Sequence, residues 1–462
     1  MFAPKALASR ALLLIVGDFL VATLAAHVSF ALVNFTGPAI AAEHDVILLA
    51  PLFGLLYVIA INFEDLYAVE QPVSPGRVIT GLFTAAIKLC AILAIVMLSN
   101  DRLLLGRRVY VTYIAGATLL LILWRLAINA STNSRIRHGV MILGNGEFAR
   151  LIAQEIEQRT HLGYKFLGFV RGGRRARAVG ESPSVEGDPT YLTSSLDMLF
   201  TQGQASSLVV EANEALQCPP QELMKWRLRG VEIIDCESFY ERITGKLPVT
   251  DLRETWLVFA PGFMRQRWRT MLKRMIDIGS AMLVMLITLP VGIVAAIAIK
   301  LDSKGPIFYA QERVGLQGQV FRILKFRSMR QDAEKRTGAT WAAPDDPRVT
   351  RVGRIIRRLR IDELPQLINV MKGDMSLVGP RPERPQMVSD LKQVLSLYDY
   401  RHSVRPGLTG WAQICYRYGA NIDDAREKLC FDLYYIKNWS LAFDLQIMLQ
   451  TIKVVLYGRG AR

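Results

Sequence analysis

Up to Ile128 the chain alternates between long apolar runs and short polar breaks. Apolar segments cover residues 11–33, 46–62, 78–98 and 109–128, each close to the ~20 residues a helix needs to cross hydrocarbon. Four membrane-spanning helices are expected, and an even number returns the chain to its starting side. From His138 the pattern becomes that of a soluble α/β domain. Val140-Met141-Ile142-Leu143 reads as a buried strand, and Gly144-Asn145-Gly146-Glu147-Phe148-Ala149 opens a helix running through Ile156. Further strands are expected at Ser207–Glu211 and Val231–Asp235, and residues 245–272, with Pro248, Pro261 and Gly262, read as a connecting stretch.

A fifth apolar run, Ile278–Ile299, is interrupted by Pro290. Arg265, Arg267, Arg269, Lys273 and Arg274 precede it while Lys300, Lys304 and Arg313 follow it, so both flanks favour the same, cytoplasmic, face. A proline inside a helix removes a backbone hydrogen bond and bends the axis. The run is therefore expected to enter one leaflet and return as a reentrant helix broken at Pro290, with Thr288 near the freed backbone groups. A kinked helix that spans the bilayer is the other reading. Beyond it, Phe321–Met329 reads as a strand, and Arg351, Arg354, Arg357, Arg358 and Arg360 alternate with Val352, Ile355, Ile356 and Leu359 at helical spacing. A new helix is expected to start at Asp362, with Leu364, Leu367, Ile368 and Met371 facing inward. The last helix puts Leu441, Leu445, Met448, Ile452 and Val455 on one side, as an interfacial anchor or as a lid on the core.

Charge sharpens the membrane reading. Half of the 462 residues are hydrophobic, yet the formal net charge is +15. Such a chain suits a membrane whose cytoplasmic leaflet is anionic and points away from a soluble nucleic-acid-binding protein. Lys5, Arg10, Arg135 and Arg137 place both ends of the four-span region in the cytoplasm, and the loop Asn34–Asp45 carries no Lys or Arg; Arg102, Arg107 and Arg108 run against this topology. The stretch Ala11–Val33 is too long for a signal-peptide core and reads as a retained anchor. Five cysteines form no C-x-x-C pair and no zinc spacing, so neither disulfides nor a metal framework is indicated.

Two places carry candidate chemistry. The Gly144–Ala149 turn has the form G-x-G-x-x-A, which in a dinucleotide-binding unit admits a pyrophosphate at the helix N-terminus. Where an acidic ribose ligand would follow, the chain instead reads Phe166-Leu167-Gly168-Phe169-Val170-Arg171, so a spacer or regulatory role is favoured. The second place is Asp362-Glu363, directly after the arginine-dense helix. The plain reading makes Asp362 an N-cap and Glu363 a first-turn acid. The sharper one makes the ionised Asp362 a nucleophile beside a diphosphate, with Mg²⁺ bridging phosphate oxygens and the carboxylates of Asp362 and Glu363. Lys325, Arg327, Arg354, Arg358, Arg381 and Arg405 are the candidate substrate-binding cations, and Pro380 and Pro382 fix an extended backbone around Arg381.

From Lys273 to Lys453 the chain resembles the monotopic phosphoglycosyl transferases that initiate bacterial exopolysaccharide, O-antigen and glycan assembly. The resemblance rests on the Pro290 run, Gly305-Pro306-Ile307-Phe308, Gln311-Glu312-Arg313-Val314-Gly315, Lys325-Phe326-Arg327-Ser328-Met329, Asp362-Glu363-Leu364-Pro365-Gln366, Gly379-Pro380-Arg381-Pro382 and Arg405-Pro406-Gly407-Leu408-Thr409-Gly410-Trp411. The preceding spans and Rossmann-like region resemble the family's long form. The expected fold is a membrane α-helical bundle (1–134), an α/β Rossmann-like domain (135–250), a linker (251–272) and a mixed α/β monotopic catalytic domain with a reentrant membrane helix (273–462). The resemblance implies that Asp362 attacks the β-phosphate of a UDP-sugar, that UMP leaves, and that undecaprenyl phosphate then takes the phosphosugar, with Glu363 assisting at Mg²⁺ or with protons. It further implies a bacterial inner-membrane location with the catalytic domain on the cytoplasmic face, membrane lipids and downstream glycosyltransferases as partners, no nucleic acid, and a homodimer. Two rival readings remain open. A membrane-bound NAD(P)-dependent sugar-nucleotide epimerase or dehydratase would need a Y-x-x-x-K pair, and no tyrosine here has lysine four residues on. A non-catalytic scaffold for polysaccharide export would tolerate loss of Asp362.

Overall fold

The computed structural model describes residues 3–36, 43–64, 66–67, 75–99, 107–132, 138–159, 162–171, 190–192, 199–211, 218, 220–249, 260, 262–263, 266–330, 348–416 and 421–456. Arg102, Arg135, Arg137, Pro261 and Arg265, which entered the sequence reading, lie outside them. The chain divides into two compact units, Met1–Thr244 and Gly245–Arg462.

The first unit opens with four helices, α1 (Ala3–Thr36), α2 (Glu43–Asn62), α3 (Pro75–Ser99) and α4 (Arg107–Thr132), each containing one of the expected apolar segments. Among the described residues of this unit, Leu13–Phe35 and Arg108–Ile128 are long and apolar enough to cross a membrane, and Leu49–Asn62 is a shorter apolar helix. Inside the bundle Asp18 is fully buried and accepts from Arg125 Nε at 3.2 Å and from Tyr67 Oη at 2.7 Å. Arg125 also donates to the Leu66 carbonyl at 3.0 Å. A charge among apolar helices is costly unless paired and hydrogen-bonded, and this pair satisfies both conditions while joining α1, α4 and the turn after α2.

The α/β part is a parallel five-stranded sheet in the order β3-β2-β1-β4-β5, from β1 (His138–Leu143), β2 (Tyr164–Arg171), β3 (Thr190–Leu192), β4 (Ser207–Val210) and β5 (Glu232–Asp235). Helices cover both faces, which explains why β1 and β4 read as unbroken apolar runs. Val140 and Ile142 pack on α5 (Glu147–Gln158) and α7 (Cys236–Thr244), while Met141 and Leu143 pack toward Trp226 of α6 (Pro220–Leu228).

The glycine turn after β1 is filled from the end of β4. Gly146 N donates to Glu211 Oε2 at 3.2 Å, at the end of β4. A Cβ on Gly144 would lie 2.3 Å from Glu211 Oε2, and one on Gly146 2.4 Å from Oε1. The glycines thus make room for a carboxylate of the protein itself, placed where the helix N-terminus would attract phosphate. A dinucleotide does not fit this arrangement, because its pyrophosphate would meet an acidic side chain in the same position.

The second unit begins with α8 (Arg267–Asp302), a 36-residue helix that runs on through Pro290. Both of its ends pack on the same α/β core. Near the start, Arg274 donates to the Val370 and Met371 carbonyls, and Asp277 accepts from Ser376 Oγ at 2.8 Å and Leu377 N at 3.2 Å. Near the end, Ala295 and Ile299 pack against Phe326 and Ile356. Between these anchors Leu286, Ile287 and Val294 are 66–70% exposed. The core they frame contains the antiparallel hairpin β6 (Phe308–Val314) and β7 (Val320–Phe326), α9 (Arg351–Arg358), α10 (Gln366–Lys372), the short parallel pair β8 (Ser376–Val378) and β9 (Gly407–Thr409), and α11 (Pro385–Val394). It is closed by α12 (Trp411–Cys415), α13 (Ile422–Asn438) and α14 (Leu441–Leu456).

In α14 the buried face is not the apolar stripe read from the sequence. Phe443, Asp444, Gln446 and Ile447 are buried, whereas Leu445 and Ile452 are 37% and 41% exposed. Asp444 draws the helix over, because Lys273, Tyr435 and Trp439 all donate to it.

Candidate active site

Asp362 and Glu363 sit in a one-turn 3-10 helix, Ile361–Glu363, between α9 and α10. Arg360 enters it in the left-handed region with φ 58°, which ends α9. Pro365 occupies the N-cap of α10, so the helix begins at Gln366 rather than at Asp362, and no cap hydrogen bond comes from Asp362. The plain N-cap reading is thereby corrected: Pro365, three residues after Asp362, has no N–H to donate to a capping carboxylate, and the acidic pair lies before the helix. Asn369 of α10 ties this segment to β7, accepting from Leu324 N at 2.9 Å and donating to the Arg322 carbonyl at 2.8 Å. That tie brings Lys325 beside the acidic pair.

Both carboxylates are buried, with 8% and 9% of their surface exposed, and their partners differ. Glu363 Oε1 accepts from Arg381 Nη2 at 2.7 Å and lies 3.5 Å from Arg360 Nη1 and 3.6 Å from Lys325 Nζ. Asp362 Oδ1 is buried with no hydrogen-bond partner. Burial pushes Glu363 up, but Arg381, Lys325 and Arg360 together outweigh it and hold the carboxyl well below the usual carboxylate range. Burial and the adjacent Glu363 charge raise Asp362 from 3.8 to about 6, against the pull of Lys325, Arg360 and Arg357. The site therefore pairs a permanently charged glutamate, committed to cations, with a desolvated aspartate that has an unused oxygen.

Of the cations expected at a substrate, Lys325 and Arg381 meet this site. Arg354 and Arg358 lie exposed on α9, while Arg357 and Arg360, between and after them, turn toward the pair. Arg405 is at the other end of α10, where its Nε donates to the Gly373 carbonyl at 2.9 Å. Arg327 is 5% exposed and closes the end of α8, donating to the Ser303 and Lys304 carbonyls at 2.7 and 3.0 Å. The sequence reading gave no role to Gln366, whose buried Nε2 has no partner one turn beyond Asp362. Its place in the D-E-L-P-Q run was the available signal.

The family model for bacterial sugar transferases matches residues 268–458, the span that contains every residue of this site. An exopolysaccharide production protein of Rhizobium leguminosarum bv. phaseoli is 40% identical over 186 residues, 39% of this chain and 93% of that protein. The chain belongs to the bacterial sugar transferase family. Two longer relatives extend the likeness. A UDP-N-acetylgalactosamine-undecaprenyl-phosphate N-acetylgalactosaminephosphotransferase of Aeromonas hydrophila is 43% identical over 240 residues, 52% of this chain and 56% of that protein. An undecaprenyl-phosphate glucose phosphotransferase of Komagataeibacter xylinus is 35% identical over 344 residues, 71% of this chain and 60% of that protein. The chain thus spans little more than half the length of these two sugar transferases.

Proposed function

We propose that the protein transfers a sugar-1-phosphate from a UDP-sugar to undecaprenyl phosphate, giving undecaprenyl-diphosphate-sugar and UMP as the initiating step of a surface glycan. The observation that carries this reading is the unpartnered Asp362 Oδ1, buried among cations. A carboxylate stripped of water and of hydrogen bonds is a competent nucleophile, and the cations offset repulsion between it and a diphosphate. Asp362 attacks the β-phosphorus, the bond from that phosphorus to the bridging oxygen breaks, and UMP leaves with the bridging oxygen. A phosphate oxygen of the lipid then attacks the aspartyl phosphosugar, the acyl-phosphate bond breaks, and the carboxylate is restored. Glu363 keeps Lys325, Arg360 and Arg381 in place, and its low pKa argues against a proton-carrying role.

Mg²⁺ suits this oxygen-rich chemistry, since it binds through one or two carboxylates plus substrate phosphates. Glu363 Oε2 and the second oxygen of Asp362 would hold it, because Arg381, Lys325 and Arg360 all approach Glu363 at Oε1 and the attack uses Asp362 Oδ1. Bound there, the ion would neutralise charge developing on the diphosphate. A lipid phosphate stays in the headgroup plane, so the site must lie there too. The geometry of α8 supports a reentrant helix: Arg274 and Ile299 dock on one core, and the apolar stretch around Pro290 between them is exposed. With both ends on the cytoplasmic side of the inner membrane, that stretch would enter the inner leaflet and hold Asp362 at its surface.

The deciding assay mixes purified protein in nanodiscs with Mg²⁺, undecaprenyl phosphate and a panel of UDP-hexoses, with UMP and UDP quantified separately. UMP that requires the lipid, disappears with EDTA and returns with added Mg²⁺ is the expected result. UDP would mean ordinary glycosyl transfer, and neither nucleotide across the panel would favour a scaffold. The pH dependence gives a second check. The attacking group must be ionised, so kcat/KM should fall about tenfold per pH unit below about 6, where Asp362 takes up its proton. Burial raises Asp432 to about 6 as well, and the limb should survive Asp432→Asn.

A further inference from the structure

Arg381 reaches Glu363 from a segment that is difficult to hold. Pro380 and Pro382 flank it and have no N–H, so the tripeptide is fixed mainly through its carbonyls. All three are occupied. The Pro380 carbonyl accepts from Gly407 N at 2.9 Å, the Pro382 carbonyl from Arg313 Nη1 at 3.1 Å, and the Arg381 carbonyl from Arg401 Nη2 at 2.9 Å. Arg401 is 6% exposed. The same Nη2 donates to Asp432 Oδ2 at 2.8 Å, and Nη1 donates to Tyr398 Oη at 2.5 Å. Asp432, on α13, is 2% exposed.

A buried arginine–aspartate pair contributes little net stability compared with well-packed apolar residues, because both charges lose their hydration. What it does supply is a rigid fork whose direction is set by its acid. Here Asp432 and Tyr398 set that direction, and the Arg381 carbonyl receives it.

We propose that Arg401, oriented by Asp432 and Tyr398, is a positioning residue that holds the Arg381 backbone so that its guanidinium stays on Glu363. The inference rests on the transferase reading above, in which Glu363 and its cations border the reacting diphosphate. Arg401 donates to the Arg381 carbonyl and acts through that residue, whose guanidinium meets Glu363.

The test is a double-mutant cycle on the full chain in nanodiscs, since coupling between two sites separates action through a partner from general weakening of the fold. Arg401→Lys keeps a charge against Asp432 but removes the fork. It should lower kcat for UMP release roughly tenfold with little change in KM for the lipid, and should cost less than about twofold further when Arg381 is already alanine. Losses that multiply in the double variant would overturn the proposal. Tyr398→Phe, which removes only a hydroxyl, should behave like a weaker Arg401→Lys in the same cycle and guards against misfolding of the lysine variant. A second cycle, Arg401→Lys with Glu363→Gln, reads thermal unfolding and does not depend on catalysis. Coupling of at least about threefold in the folding equilibrium is expected there, and independence of the two positions would overturn the inference even if no donor supported UMP release. Conversely, that coupling without any UMP release would leave the positioning intact and reject the reaction.

Discussion

Asp362→Asn should lower lipid-dependent UMP release at least about a thousandfold and at the same time raise the melting temperature. The first effect follows from removing the attacking oxygen's charge. The second follows from the direction of the Asp362 shift. Its carboxyl is raised from 3.8 to about 6 in the folded protein, first by burial and then by Glu363. Between those values the native state holds a proton that the unfolded chain has released, so this group's contribution falls as pH rises and is fully unfavourable above about 6. Asparagine is neutral throughout and relieves that cost. At pH 7.5 a rise of about 2–6 °C is expected by scanning fluorimetry, and the difference from wild type should shrink as the pH is lowered toward 4. A variant with a tenth of the wild-type rate would place the nucleophile elsewhere. An inactive variant that melts lower would mean that Asp362 has a stabilising partner in the fold.

This expected opposition between stability and chemistry separates the proposed site from a plain helix start. A capping aspartate is stabilised by the N–H groups it accepts from, and its removal costs stability. Asp362 accepts no such bond, and Glu363 takes most of the surrounding positive charge through Arg381, Lys325 and Arg360. Two neighbouring carboxylates in one buried turn are thus driven apart in pKa, one strongly acidic and one close to neutrality.

Features written in local pattern were legible in the sequence, and features made by distant partners were not. The apolar segments lie within α1 to α4, and strands occur where apolar runs predicted them at Val140, Ser207 and Glu232. Asp362, Glu363, Lys325 and Arg381 could be singled out because they lie in compact runs with proline or arginine punctuation. By contrast, Glu211 fills the glycine turn from 65 residues away, and Arg125 meets Asp18 across 107. No periodicity encodes either contact. The choice between Arg354 and Arg358 on one side and Arg357 and Arg360 on the other also escaped the pattern. For Arg360 it depends on the left-handed backbone after α9, and for Arg357 on the face of α9 it occupies. Arg327 sits in the same motif as Lys325, two residues on, but past the end of β7, where its guanidinium is taken by the carbonyls at the end of α8.

Asp444→Ala is expected to cause the largest loss of stability among single changes outside the active site. Lys273 Nζ donates to Asp444 Oδ2 at 2.6 Å, Trp439 Nε1 to the same oxygen at 3.0 Å, and Tyr435 Oη to Oδ1 at 2.7 Å. These donors come from the start of α8, the residue after α13, and α13 itself, so one carboxylate joins three elements. Removing it leaves a half-buried ammonium with only the more distant Asp277, 3.8 Å away, and takes the acceptor from Trp439 Nε1, while Tyr435 Oη keeps the Val378 carbonyl at 3.1 Å. Breaking one side of a fully buried pair costs roughly 3–5 kcal/mol; with Lys273 half-buried the lower end, about 3 kcal/mol, is expected here, a fall of about 6–12 °C in melting temperature. Asn should recover part of the loss, because its carbonyl can still accept one of the three bonds. Lys273 lies four residues before Asp277 on the helix that carries Pro290, so the damage should spread beyond α14. Protease cleavage within α8 in detergent should accelerate together with the drop in melting temperature. If Asp444→Ala melted within about 2 °C of wild type, Lys273 and Trp439 would be satisfied elsewhere, and α14 would be held by its apolar contacts, Phe443 and Ile447 among them.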